Sequence, residues 1–167
     1  WTGPAGGSRM ADAVIIATPD AMHVEPAIAM AEKGYHILLE KPMAPSEADC
    51  RRIIQAVRDR GDIRLAVCHV MRYTRYTQML KSIIDSGRIG RIVNVQHLEP
   101  VGYWHQAHSF VRGNWRNEAE SAFMLLAKSC HDIDWLRYIV GEPCQCVSSF
   151  GSLLHFKKAN QPDGAAE

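Results

Sequence analysis

Three apolar runs of strand length, AVIIA at 13–17, YHILLE at 35–40 and IRLAVCH at 63–69, are separated by two segments of helix length with their own start and stop signals. Such runs, bounded by turn residues, read as buried parallel strands. TPDAMH follows the first run as a turn. Pro26 suits the first turn of a helix and Gly34 its C-terminal cap. Ser46 suits an N-cap, with Asp49 three residues later in capping-box position, and that helix runs to about Gly61. Neighbouring strands joined by a helix are parallel, because the crossover returns the chain to the same edge of the sheet. The order is therefore strand, helix, strand, helix, strand over 13–69.

This is one half of a doubly wound α/β fold, in which ligands sit beyond the carboxyl ends of the strands. Thr18 and His23 follow the first strand, Glu40 and Lys41 the second, His69 and Arg72 the third. Polar side chains gather on the one sheet edge that the topology reserves for a site. A solvated strand end would carry the same charges.

The pattern changes after Met71, where we place a domain boundary, giving 1–70 and 71–167. RYTRYTQMLKSIIDSG reads as a helix closed by Gly87, and GRIVNVQHLE at 90–99 as a strand. Residues 100–118 form a long loop rich in Trp, His and Arg. Its Trp104, His105, His108, Arg112 and Trp115 either line a pocket for a sugar or polyol or fill core, since aromatics serve both roles. Residues 121–140 read as one helix. Ala122, Leu126, Ile133, Leu136 and Val140 make its core stripe; Met124, Lys128, His131, Trp135 and Tyr138 lie opposite, as a cleft wall would. CVSSFGSLLHF at 146–156 reads as a last strand.

With 19 basic and 18 acidic residues the formal net charge is +1, and no basic block would track a nucleic-acid backbone. No apolar run is long enough to span a membrane. The start has no apolar segment behind a basic one, as a secretory signal would. Five cysteines without CxxC spacing suit a reduced, cytoplasmic protein. The first residue is not methionine, which points to a fragment.

AVIIATPDAMH, AIAMAEKGYHILLEKPMA, GRIGRIVNV and KSCHDIDWLRYIVG together resemble the Gfo/Idh/MocA family of NAD(P)-dependent oxidoreductases, over nearly the whole chain. The resemblance implies a dinucleotide-binding domain followed by an α/β domain built on an open, mostly antiparallel sheet. It implies NAD or NADP as cofactor and a secondary hydroxyl of a sugar or polyol as substrate. Lys41 would lie beside the nicotinamide and the reacting hydroxyl, with Pro42 in a cis peptide behind it. Glu40 would approach the nicotinamide ribose, and Thr18, Pro19 and His23 would run along the cofactor, with Arg72 near them. His131 would take the hydroxyl proton, its ordinary pKa near 6.5 suiting a base at neutral pH. No metal is called for, and a homo-oligomer through the open sheet is implied for the complete protein.

Ala127 stands where the family's DxGxH motif has aspartate, and Lys128 forms a Lys-x-x-His pair with His131 instead, a charge that would lower the histidine's pKa. A GxGxxG phosphate loop is missing: GPAGGS at 3–8 has no strand before it. The expected fold is thus the C-terminal half of a Rossmann-type sheet followed by the start of the substrate domain. An inactive remnant of the same ancestry is the alternative. A metal-dependent hydrolase using His105 and His108 with Cys144, Cys146 or His131 is weakly motivated, because the cysteines lack zinc spacing. A Cys130–His131 nucleophile pair fails because adjacent helix residues do not face each other.

Overall fold

The computed structural model describes residues 10–164, so the glycine-bearing stretch at 3–8 falls outside the described residues. Strands β1 (Ala13–Ile16), β2 (His36–Leu39) and β3 (Leu65–Val67) form a parallel sheet in the order β1-β2-β3. Ala13 lies opposite His36, and Ile37 opposite Leu65. Helices α1 (Val24–Glu32) and α2 (Glu47–Arg60) make the two crossovers and pack against each other. Ser46 caps α2 by accepting from the Asp49 N–H at 3.1 Å, and Gly61 ends it at φ 75°.

The core lies between the sheet and these helices and contains Ile16, Val24, Ala27, Ile37, Leu39 and Ile53. Strand order follows chain order, so two crossovers of one hand put both helices on one face. The expectation of strands buried on both faces is corrected accordingly. Ile15, pointing to the other face, is 70% exposed, whereas Leu39 is fully buried.

Beyond β3 a 3₁₀ turn, Val70–Tyr73, leads into α3 (Arg75–Asp85), which Thr74 caps. The expected loop at 100–118 is partly helical: α4 (Tyr103–His105) continues into a π-helical turn, Gln106–Val111. Gly113 permits the chain to fold back here, because a Cβ would run into the carbonyl oxygens of His108 and Ser109. Two expected strands are absent among the described residues. Neither 90–99 nor 146–156 forms a ladder, and Val93 and Phe150 stand 90% and 97% exposed. A strand has no satisfied backbone without a neighbour to pair with, and neither segment has one.

The single helix expected over 121–140 is broken into α5 (Met124–Ala127) and α6 (Cys130–Val140). Ala122 of the expected core stripe is buried, but within α6 the inward face is largely reversed. Ile133 is 61% exposed, while Trp135 donates its indole N–H to Thr77 Oγ1 at 2.9 Å on α3. Arg72 grips Asp134, and its guanidinium lies 5.1 Å from the Tyr138 ring centre. Polar groups that must be satisfied once enclosed orient α6 more strongly than its aliphatic stripe.

Ile53→Ala, at a fully buried position, should cost about 2–5 kcal/mol in urea denaturation. Ile15→Thr, on the open face, should stay within about 0.5 kcal/mol. Equal losses would mean that the second sheet face is covered in solution.

Candidate functional site

The carboxyl ends of β1 and β2 open into a cleft of about 630 Å³. One wall is Thr18, Pro19, Glu40, Lys41 and Pro42. The other comes from the 113–121 segment, with Trp115 and Arg116, and from Ala127 at the end of α5. The Lys41–Pro42 peptide is cis. Lys41 Nζ donates to the Ala127 carbonyl at 3.0 Å, so the ammonium bridges from the sheet edge to the segment leading into His131.

Two buried polar residues hold this edge together. His23 is 1% exposed, and its ring nitrogens meet the Pro42 carbonyl at 2.9 Å and the Thr18 carbonyl at 2.8 Å. It ties the loop after β1 to the loop after β2. Enclosed and engaged on both nitrogens, it positions the cleft wall and is not among the residues that line the cleft. Asp20 is also buried. Its Oδ2 accepts from the Trp115 indole at 3.3 Å and the Ala122 N–H at 3.2 Å, clamping the opposite wall onto the sheet.

His131 sits on the first turn of α6, half-buried beside His69 from the end of β3. Burial is the main cause pushing its imidazole below the ordinary histidine range; Lys41, His69 and Lys128 push the same way and Asp132 opposes them. His69 is lowered chiefly by burial too, with Asp134 opposing and Arg72 and Lys41 assisting. Both rings therefore favour the neutral form, which can accept a proton. Cys130 has its thiol pushed up, mainly by burial, which leaves it a poor nucleophile.

Apart from Trp115, the sequence candidates from beyond β3 lie outside the cleft lining. The Arg72 guanidinium is engaged by Asp134, with 2.7 Å from Nε to Oδ2. Lys128 pairs with Glu99 at 2.6 Å. Trp104 and His105 stack on each other at 5.5 Å, and His105 continues to Phe110. Neither these two, nor His108, nor Arg112 lines the cleft; of the aromatic loop residues only Trp115 does. The π-helical turn packs the row against itself and leaves Trp115 at its inner end. His105 and His108 share no cluster of ligand atoms with Cys144 or Cys146 among the described residues.

Residues 6–69 match the family model described as oxidoreductase family, NAD-binding Rossmann fold, and residues 81–166 match its C-terminal alpha/beta domain. The chain belongs to the Gfo/Idh/MocA oxidoreductase family. It is 29% identical over 147 residues to 2,7-anhydro-N-acetylneuraminate hydratase of Escherichia coli, an alignment covering 88% of this chain and 38% of that protein. It is 31% identical to inositol 2-dehydrogenase of Streptomyces avermitilis, covering 82% and 37%. Among solved structures, the WlbA dehydrogenase of Bordetella pertussis in complex with NADH and UDP-GlcNAcA aligns with a TM-score of 0.59 at 34% identity, covering 81% of this chain and 38% of that one. The chain thus spans well under half the length of the curated relatives it matches.

Within this Gfo/Idh/MocA chain, three residues around the cleft and His131 carry little signal of a role in the sequence. Asp20 lay unremarked inside the TPDAMH turn, where nothing marks a carboxylate as buried. Asp134 could have been found from its spacing, three residues after His131 on the same helix face. Topology puts His69 at the sheet edge, and nothing near it in the sequence indicates a role.

Asp20→Ala would leave the Trp115 indole and the Ala122 N–H unpaired, a loss of about 1–3 kcal/mol. Red-shifted tryptophan emission and faster proteolysis within 113–122 should accompany it. A second expectation concerns pH. The folded His69 and His131 bind protons less readily than the unfolded chain, so their contribution to stability is full above about pH 6.5 and is lost as pH falls through the lowered folded values. Thermal melts between about pH 7.5 and 5.5 should show Tm falling on acidification. The His69→Gln/His131→Gln double variant should flatten that slope, and an unchanged slope would assign it to other groups.

Proposed function

We propose that this chain contributes the catalytic edge of an NAD(P)-dependent oxidoreductase that moves a hydride between a nicotinamide and a secondary hydroxyl of a sugar or polyol. The observation that supports this most directly is the Lys41 ammonium at the carboxyl end of β2, spanning to the Ala127 carbonyl just ahead of His131. The donor set suits a nicotinamide ribose: the Glu40 carboxylate and Lys41 share one wall of a cleft at the carboxyl edge of a parallel sheet. When bound, the nicotinamide supplies the hydride acceptor or donor. Thr18, Pro19 and Pro42 shape the wall along which it would lie.

His131 takes the hydroxyl proton. Its Nδ1 is enclosed and without a hydrogen-bond partner, so acceptance is assigned to Nε2. Lys41 holds the substrate oxygen and offsets the negative charge that develops as the proton leaves. Lys128, paired with Glu99, acts on His131 through its charge. Trp115, fixed by Asp20, offers an apolar face to a sugar ring. Trp104, His105, His108 and Arg112 shape the outer approach. The 90–99 and 146–156 segments are read as strands of the open sheet, through which copies of the complete protein would associate; the period-two spacing of Val93 and Val95 supports this for the first segment. The domain boundary near residue 70 fits the same reading.

The test is calorimetric titration of NAD(H) and NADP(H) into this chain and into the longest open reading frame containing it. We expect binding by the longer protein, and turnover of a polyol or sugar that Lys41→Ala lowers by about 10²–10³ in kcat. Binding by neither form would return the chain to an inactive remnant.

A further inference from the structure

His69 and His131 meet edge to face, ring centres 6.0 Å apart at 84°. The Nδ1 atom of each is enclosed and has no hydrogen-bond partner. On its other side His69 presents Nε2 to Asp134 Oδ1 at 3.9 Å. Asp134 is itself held by two of the three Arg72 guanidinium nitrogens and is mostly buried. The two imidazoles thus form a pair with the Asp134 carboxylate on the His69 side.

Two positive rings at this separation repel. At an effective dielectric near 20 the repulsion changes the second ring's proton affinity by about ten- to a hundredfold. Protonation is therefore sequential, and the surrounding charges decide the order. His69 faces the Asp134 carboxylate, with Arg72 and Lys41 opposing it. His131 faces the ammonium groups of Lys41 and Lys128. The one carboxylate that favours its charge, Asp132, already meets His97 Nε2 through Oδ1 at 2.7 Å.

We propose that His69, backed by Asp134, is a positioning residue for His131: it takes the first proton on acidification and so keeps His131 neutral and able to accept the substrate's proton. This rests on the reading of His131 as the base. Burial lowers both rings, and His69 adds to the lowering at His131, in keeping with that order. The pair extends the acid side of the range in which the base is free, a task that a lone half-buried imidazole beside two ammonium groups would leave to burial and those charges alone.

The experiment is a pH titration of this chain with ¹³C/¹⁵N-labelled histidine, followed by NMR without cofactor or substrate. His69 should titrate at higher pH than His131. His69→Gln should raise His131's proton affinity about tenfold or more, and Asp134→Asn should lower that of His69 and narrow or invert the gap. His131 titrating first in the wild type, or moving by less than about 0.2 pH unit in a folded His69→Gln variant, would overturn the proposal. The wild-type order decides the matter even if both variants misfold. Because no ligand is present, an uncoupled His131 removes the role of His69 and leaves hydride transfer untouched. Coupled titration in a protein that binds no nicotinamide would instead remove the role of His131 as base.

Discussion

The end of β2 is clamped from both sides. The Glu40 N–H donates to the Ile16 carbonyl at 2.9 Å on β1, and the Leu39 carbonyl accepts from the Cys68 N–H at 2.8 Å beyond β3. Leu39 itself is fully buried against the crossover helices. The chain therefore leaves the sheet at Glu40 with little freedom, and Lys41 is aimed by backbone pairing rather than by its own side-chain contacts. Groups that sit on the rigid end of a central strand are held more closely than groups on a loop. The ammonium can then bridge the distance to Ala127 without the order of its four-carbon stem being decided by that one bond.

The second half of the site depends on how α6 docks. An aliphatic stripe would slide along a partner, because hydrophobic contact is not directional. The Trp135–Thr77 hydrogen bond and the two-point Arg72–Asp134 pair fix both rotation and height. Tyr138 adds a third anchor between the Arg72 and Lys81 cations. The position of α6, and with it that of His131, is thus maintained by polar groups several residues along the same helix.

Charge then tunes what packing has placed. Lys41, Lys128 and Arg72 surround two histidines, with carboxylates at Asp132 and Asp134 set unequally between them. Burial and cations together hold the imidazoles neutral, the form in which histidine is a base. The buried Asp20 and His23 do no proton chemistry in this scheme. They fasten the loop after β1 to both cleft walls, so that the wall carrying Trp115 and the wall carrying Lys41 keep a common reference.

The local half of this protein is legible from short-range residue pattern. The three strands, the two crossovers, the Ser46 cap and the placement of Thr18, Glu40 and Lys41 on one edge all follow from short-range pattern and capping chemistry, and the EKP and HDxD elements identify the family. Which polar side chains became internal depends on how distant segments dock. His23 and Arg72 look the same in sequence whether they meet a cofactor, two backbone carbonyls or a carboxylate 62 residues away. The inward face of α6 and the break between α5 and α6 were likewise illegible, because aliphatic periodicity records how much apolar surface a helix has and not which hydrogen bonds it must make once docked. Strand formation at 90–99 and 146–156 depends on a pairing neighbour, and a strand's own residues do not contain one.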